Sequence, residues 1–177
     1  MASKSILFLA VFCSAFLAVG EISAQDIQQP NPLDAVPDKM PFDIPYGSPI
    51  ILDRAETAIA AAISEARKHG WKLNVAVVDS GGNLVAFQRM DGAQLASIQI
   101  SEHKARASAN FRRETRAFEN AIQLNDFRYV ATLDGVIASR GGIPLVEDGR
   151  IIGAIGCSGG TGSQDEVACK AGASVIK

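Results

Sequence analysis

Apolar and turn-forming residues follow one another in the same way in two stretches of the chain. Asn74 to Gly92, NVAVVDSGGNLVAFQRMDG, sets Val75, Val77, Val85 and Phe87 on either side of Asp79-Ser80-Gly81-Gly82-Asn83. Gly142 to Gly160, GIPLVEDGRIIGAIGCSGG, places Asp148-Gly149 between a short apolar run and a longer one. Strand-length apolar runs around glycine with Asp or Asn predict hairpins, because those residues tolerate the positive φ of tight turns. Two hairpins predict one antiparallel sheet.

Helical spacing surrounds them. Ala55, Ile59, Ala62, Ile63 and Ala66 recur at a core-facing period, with Ser48-Pro49 as a start signal and His69-Gly70 as a stop. A second helix is predicted from about Ala93 to Arg113, with Ser97, Ser101, Lys104 and Ser108 on one face. That face reads as a wet pocket wall or, from composition, as a solvated surface. Residues 114–141 carry no clear period, although Tyr129 to Leu133 suggests one helical turn or a short strand. An Ala-rich last helix follows the glycine-rich turn Cys157 to Gly162, with Ser163 and Glu166 spaced as a capping box.

The ends of the pattern mark three segments. Lys4, the apolar run Ile6 to Val19 and the small residues Ser23-Ala24 read as a secretory signal peptide over residues 1–24. The apolar run is short for a spanning helix. Export to the periplasm or beyond is therefore expected, with no stable membrane insertion after cleavage. Residues 25–48 hold Pro30, Pro32, Pro37, Pro41 and Pro45 and predict an extended arm, whose Leu33, Val36, Met40, Phe42, Ile44 and Tyr46 are expected to lie on the domain or on a neighbouring subunit. Residues 49–177 form the domain.

With 177 residues and 47% hydrophobic content, the chain has ample core for one domain. Its 17 basic and 19 acidic residues leave no electrostatic footprint for nucleic acid and no polybasic anchor. A small-molecule partner fits this balance better. In an oxidising compartment Cys157 and Cys169 would be a disulfide or two buried thiols, with a metal or haem ligand as a third reading.

Chemistry-bearing residues are few. HExxH and CxxC are both missing, and His69 and His103 are the chain's two histidines, too few for a multi-histidine zinc site. The glycine-rich turn before the last helix has backbone amides that could cradle an anion, but it lacks the Lys-Ser/Thr pair of a phosphate-binding loop and the spacing of a dinucleotide fingerprint. Ser139-Arg140-Gly141-Gly142-Ile143-Pro144 predicts a bent start to a strand, with Arg140 able to hold a carboxylate. His69 reads as a surface residue at a helix end, and His103 as the better imidazole for a metal.

Several separated motifs in order, VAVVDSGGNLVAFQRMDGA, the Ser97 to Ala109 segment with Lys104-Ala105, GGIPL, GAIGCSGG and Gln164-Asp165-Glu166, make the sequence resemble the GlcG/HbpS-like heme-binding family, also seen as the C-terminal domain of PduO-type proteins. The resemblance covers about Ile51 to the C-terminus. It implies a single α+β domain of profilin-like architecture, an antiparallel sheet flanked by helices, assembled as a homo-oligomer and binding haem or a related tetrapyrrole. Some members use a histidine of the first helix for the iron; here that helix contains none before His69 at its end, so His103 becomes the expected axial ligand, with the cysteines behind it. Asp79, Arg89, Asp91, Ser97, Lys104, Arg140, Gly141, Gly142, Ser158, Gly159 and Asp165 are the expected ligand-binding residues. The alternative function is an enzyme acting on a small organic acid by proton transfer, with Lys104 as base or anion holder and Arg140 or Arg89 orienting a carboxylate. Either way, the polar side of the second helix is expected to close a cavity over the two hairpins.

Overall fold

Both hairpins form, and they share one sheet. β1 (Asn74–Asp79) pairs with β2 (Leu84–Arg89), β3 (Gly142–Glu147) pairs with β4 (Arg150–Ser158), and β1 joins β4 to give the antiparallel order β2-β1-β4-β3. In the central pair Asn74 stands opposite Ser158 and Asp79 opposite Gly153, so the glycine-rich turn after β4 emerges beside the start of β1. The computed structural model describes residues 31–177; the leader expected over residues 1–24 and the first residues of the arm lie outside them.

Alternation along the strands sends side chains to two helical layers. Val75, Val77, Ile143, Leu145 and Ile155 face α1 (Leu52–Lys68) and α4 (Gly162–Ala173), whose Ala55, Ala58, Ala62 and Ala168 are completely buried. Ala76, Val78 and Ala154 face α2 (Ser97–Asn110), which lays Ala105 and Ala109 on them. Small residues on both sides let the second helix sit almost on the strands: a Cβ built at Gly156 would stand 2.6 Å from the Ala105 amide nitrogen. The result is an α+β domain, as expected.

Several boundaries differ from the expectations. α1 begins at Leu52 and not at Ser48-Pro49, because the chain before it remains extended: Gly47 and Ile50 donate amide hydrogen bonds to Ile151 and Ile152, Ile151 donates to Pro45, and Tyr46 forms a parallel bridge with Ile151. α2 spans Ser97–Asn110, shorter than Ala93 to Arg113 at both ends, and Arg112 beyond it has φ 55°, which a continuing helix excludes. The cap of α4 is Thr161 with Gln164 and not Ser163 with Glu166: the Thr161 hydroxyl accepts from the Gln164 amide at 3.3 Å, and the Gln164 side chain accepts from the Thr161 amide at 2.9 Å.

The unreadable stretch 114–141 contains α3 (Arg116–Gln123) and a 3₁₀ turn, Arg128–Thr132. They bury Phe118 and Val130 with Ala107 in a small cluster of their own. Residues 39–177 form one compact unit; ahead of it, the described residues 31–38 hold a 3₁₀ turn, Pro32–Asp34, capped by the Asn31 side chain. Among the described residues no helix is long and apolar enough to cross a membrane.

Candidate functional site

Lys104 is the largest side chain that the fold buries completely, with 1% exposure. It leaves α2 toward the end of β4, where its Nζ donates to the Cys157 carbonyl oxygen at 3.1 Å and to Asp165 Oδ2 at 2.8 Å, while Asp165 Oδ1 accepts from the Gly160 amide at 3.0 Å. Gly141, at φ 114°, completes the enclosure, since a Cβ there would stand 2.9 Å from Asp165 Cβ and 3.3 Å from Lys104 Nζ. Gly142 donates its amide to Thr115 Oγ1 at 2.9 Å and is pressed against the same side chain. Thus Lys104, Gly141, Gly142 and Asp165 do come together, while Ser158, buried opposite Asn74, follows the Cys157 carbonyl that receives the lysine. They converge on a closed ion pair, and Lys104 lines neither the cleft beside Trp71 and Arg89 nor the one around Phe111 and Phe118. A buried ammonium in such contact ties helix to strand to helix and has no face for a substrate.

The serine face of α2 is likewise neither wet wall nor surface. Ser97, Ser101 and Ser108 are fully buried; Ser101 donates to Ile98 O at 2.8 Å, Ser108 donates to Arg113 O at 2.9 Å, and Ser97 Oγ accepts from Gln94 Nε2 at 2.6 Å. Cys157 and Cys169 form a disulfide, Cα to Cα 5.7 Å, which fastens β4 to α4 and removes both as ligands. The remaining expected residues scatter. Asp79 accepts from the amides of Gly81 and Asn83 at 2.8 and 2.9 Å; its partial burial pushes its carboxyl up, but the amides of its own turn prevail and hold it below the usual range. Gly159, at φ 148°, abuts Leu73, with a built Cβ 3.0 Å from its Cα. Arg89 and Asp91 lie at the end of the edge strand β2, beside Trp71 and Lys72.

Arg140 does hold carboxylates, but they belong to the protein. Its Nε and amide donate to Glu119 at 2.8 Å each, and its Nη1 lies 3.6 Å from Glu166, which Lys170 and Arg116 also approach, at 2.9 and 3.3 Å. Burial raises the Glu119 carboxyl, yet the Arg140 hydrogen bonds outweigh it and leave the group below the ordinary carboxylate range. The guanidinium is raised in return, chiefly by those same bonds.

An open site appears where the sequence was hardest to read. Phe42, Phe111, Phe118, Phe127, Tyr129 and Arg113 line a cleft of about 420 Å³ between the arm, the end of α2, α3 and the 3₁₀ turn. Arg113 stacks over Phe42, 3.0 Å from the ring centre, and Phe111 and Phe118 meet edge to face with centroids 5.1 Å apart. Burial lowers the Arg113 pKa below that of a free guanidinium. On the flank of α2, His103 Nε2 lies 3.2 Å from the carbonyl oxygen of Gly135, a residue whose built Cβ is 3.9 Å from the Phe111 ring and which lies two positions after the cleft-lining Leu133. The tautomer that satisfies this carbonyl protonates Nε2 and leaves a lone pair on Nδ1. His69, by contrast, is exposed at the end of α1, stacked on Trp71 with centroids 4.4 Å apart and 3.3 Å from Glu65. Among the described residues no group of three or more His, Cys, Asp or Glu could hold a metal ion. The one available signal for the cleft was the density of aromatic residues from Phe111 to Tyr129, which obeys no helical or strand period.

A family model described as "Haem degrading protein HbpS-like" matches residues 50–174. Protein GlcG of Escherichia coli (strain K12) is 43% identical over 104 residues, which cover 59% of this chain and 77% of that protein. The crystal structure of HbpS is 28% identical, with TM-score 0.69, covering 80% of this chain and 99% of that one. The structure of a PduOC:Heme complex, 23% identical with TM-score 0.66 over 73% of this chain and 96% of that one, shares the fold.

Proposed function

The chain belongs to the HbpS-like family, and we propose that it binds haem, with the ring in the aromatic cleft and His103 as the residue that holds the iron. The observation that carries the reading is an aromatic cleft joined through one residue to an imidazole: Gly135, whose carbonyl oxygen lies 3.2 Å from His103 Nε2, would place a Cβ 3.9 Å from the cleft-lining Phe111 ring. The donor set fits the group. A tetrapyrrole needs flat apolar walls, which Phe111, Phe118 and Phe127 supply, and a cation for its carboxylates, which Arg113 supplies. An axial histidine ordinarily gives its other N–H to a carbonyl or carboxylate, which orients the ring and raises its basicity. His103 has that arrangement through Gly135. The cleft volume lies within the range of about 300–1,000 Å³ usual for small-molecule sites. When bound, haem supplies a redox-active iron; the protein holds the ring, excludes water from its faces and sets the ligand.

Titration of the purified protein with hemin tests this. A saturable Soret band is expected for the unaltered chain and for His69→Ala, and its shift or loss is expected in His103→Ala. A His103→Ala spectrum identical to that of the parent would reject the ligand, and no saturable band in any form would reject the function.

The proposal extends to setting. Removal of residues 1–24, with the arm 25–48 left ahead of the domain 49–177, would deliver the protein to the periplasm or the medium as a homo-oligomer. The leader pattern and the disulfide support this reading. N-terminal sequencing of secreted material should begin near Gln25, and an intact Met1 there would contradict it.

A further inference from the structure

Arg67, Lys72 and Arg89 converge on a second cleft, of about 380 Å³, between the end of α1 and the edge strand β2. Such convergence usually comes with acidic partners, yet among the described residues none of the three makes an ion pair. Asp91 is the one carboxylate in the lining, and Glu65 nearby is engaged by Lys68 at 2.7 Å and by His69. The cleft is therefore cationic on a chain whose formal charge is −2. All three are exposed, so solvent screens their repulsion, but a cleft lined mainly by one sign of charge concentrates anions.

The floor is built firmly. Met90 donates its amide to Leu73 O at 3.0 Å, Trp71 donates its amide to Ala66 O at 3.0 Å, and Lys72 is laid along Gly92, where a Cβ would come within 3.0 Å of both Cδ and Nζ. Trp71 and Met90 give the cleft a flat apolar wall, and the His69 ring backs Trp71 on one side. Three cations against one carboxylate call for about two negative charges, and an indole wall calls for a planar apolar body. The size excludes a simple inorganic anion as the best fit.

We infer that this cleft is a binding site for a small aromatic dianion, such as a benzene dicarboxylate, separate from the cleft beside His103. It stands on different residues and does not depend on haem. The carboxylates would be held by Arg89 and Lys72, with Arg67 closing from the helix end, while the ring lies on Trp71.

Trp71 is the only tryptophan in the chain, so its emission reports on this cleft. Phthalate should change that emission saturably, benzoate should bind at least tenfold more weakly, and Arg89→Gln or Lys72→Gln, both at exposed positions, should weaken phthalate tenfold or more with an unchanged far-ultraviolet circular dichroism spectrum. The hemin titration of these two variants should match the parent. Three results would overturn the assignment: no saturable response to phthalate, inorganic phosphate binding as tightly as phthalate, or displacement of hemin by phthalate. A parent protein that shows no saturable Soret band with hemin yet responds saturably to phthalate would reject the haem reading and leave this one standing, whereas unchanged phthalate binding in both variants would overturn this one.

Discussion

At the junction of α2, β4 and α4, Lys104, Asp165, Gly141, Gly142 and Gly156 fill the space to atomic contact, whereas α3 and the turn after it leave aromatic rings standing around an open cleft. The junction carries the residues most easily mistaken for chemistry: a lone lysine, paired glycines and a glycine-rich strand-to-helix turn. Their requirement is spatial. Helix and strand approach so closely that only glycine and alanine fit, and the lysine enters because a carboxylate and a carbonyl receive its ammonium. The cleft has the opposite character, with rings that range from buried Phe118 to exposed Tyr129, an arginine whose pKa burial lowers, and an imidazole linked to it through Gly135. Residues that hold a fold together and residues that hold a ligand can thus resemble one another in sequence and part company in exposure.

The contrast is most sharply tested at Lys104. Replacing it by Met strands Asp165 in the interior and should cost about 3–5 kcal/mol. Pairing the change with Asp165→Leu should recover most of that loss in chemical denaturation. A Lys104→Met protein within about 1 kcal/mol of the parent would mean that water reaches the junction.

Next comes the disulfide, which closes a loop across a sequence separation of 12. Its removal in Cys157→Ala with Cys169→Ala should lower stability by about 3 kcal/mol, and hemin affinity should move little, because the bridge lies on the junction side. A large hemin effect would join the two regions that the structure separates.

Within the cleft, Arg113→Gln should weaken hemin roughly tenfold, about 1.4 kcal/mol, with folding stability nearly unchanged. Equal loss in stability and affinity would make Arg113 part of the packing.

The smallest effect belongs to Glu119 and Arg140. The folded carboxyl is held below its unfolded value, so its contribution is present above about pH 4.3, the unfolded value, and is lost as pH falls through the folded one. Glu119→Gln should therefore flatten the acid limb of stability against pH. An acid limb as steep as the parent's would show that the pair contributes nothing there.

Strand runs around Asp79-Ser80-Gly81-Gly82-Asn83 and Asp148-Gly149 were legible because turn chemistry is local, and the alanine stripe of α1 because its period is. Burial of the α2 serines was not legible. Each serine satisfies its hydroxyl on a backbone carbonyl or a nearby side chain, which lets a polar residue enter the core without a sequence signal. α3 escaped for a different reason: Phe118, Ala121 and Ile122 do share one face, but the helix has only 8 residues, too few for that face to repeat as a period. The cleft escaped with it, since its walls come from four separate segments that only tertiary structure assembles. Arg89 and Asp91 were singled out as motif residues, while their neighbours Arg67, Lys72 and Trp71 became visible only when β2 was placed against the end of α1.

Paramagnetic broadening of backbone amide resonances on addition of ferric hemin decides most directly between the two regions. Phe118, Ala121, Val130 and Gly135 should lose intensity first, while Ala105, Ile155 and Asp165 keep theirs. Broadening centred on Ala105, Ile155 and Asp165, with the α3 resonances intact, would contradict it.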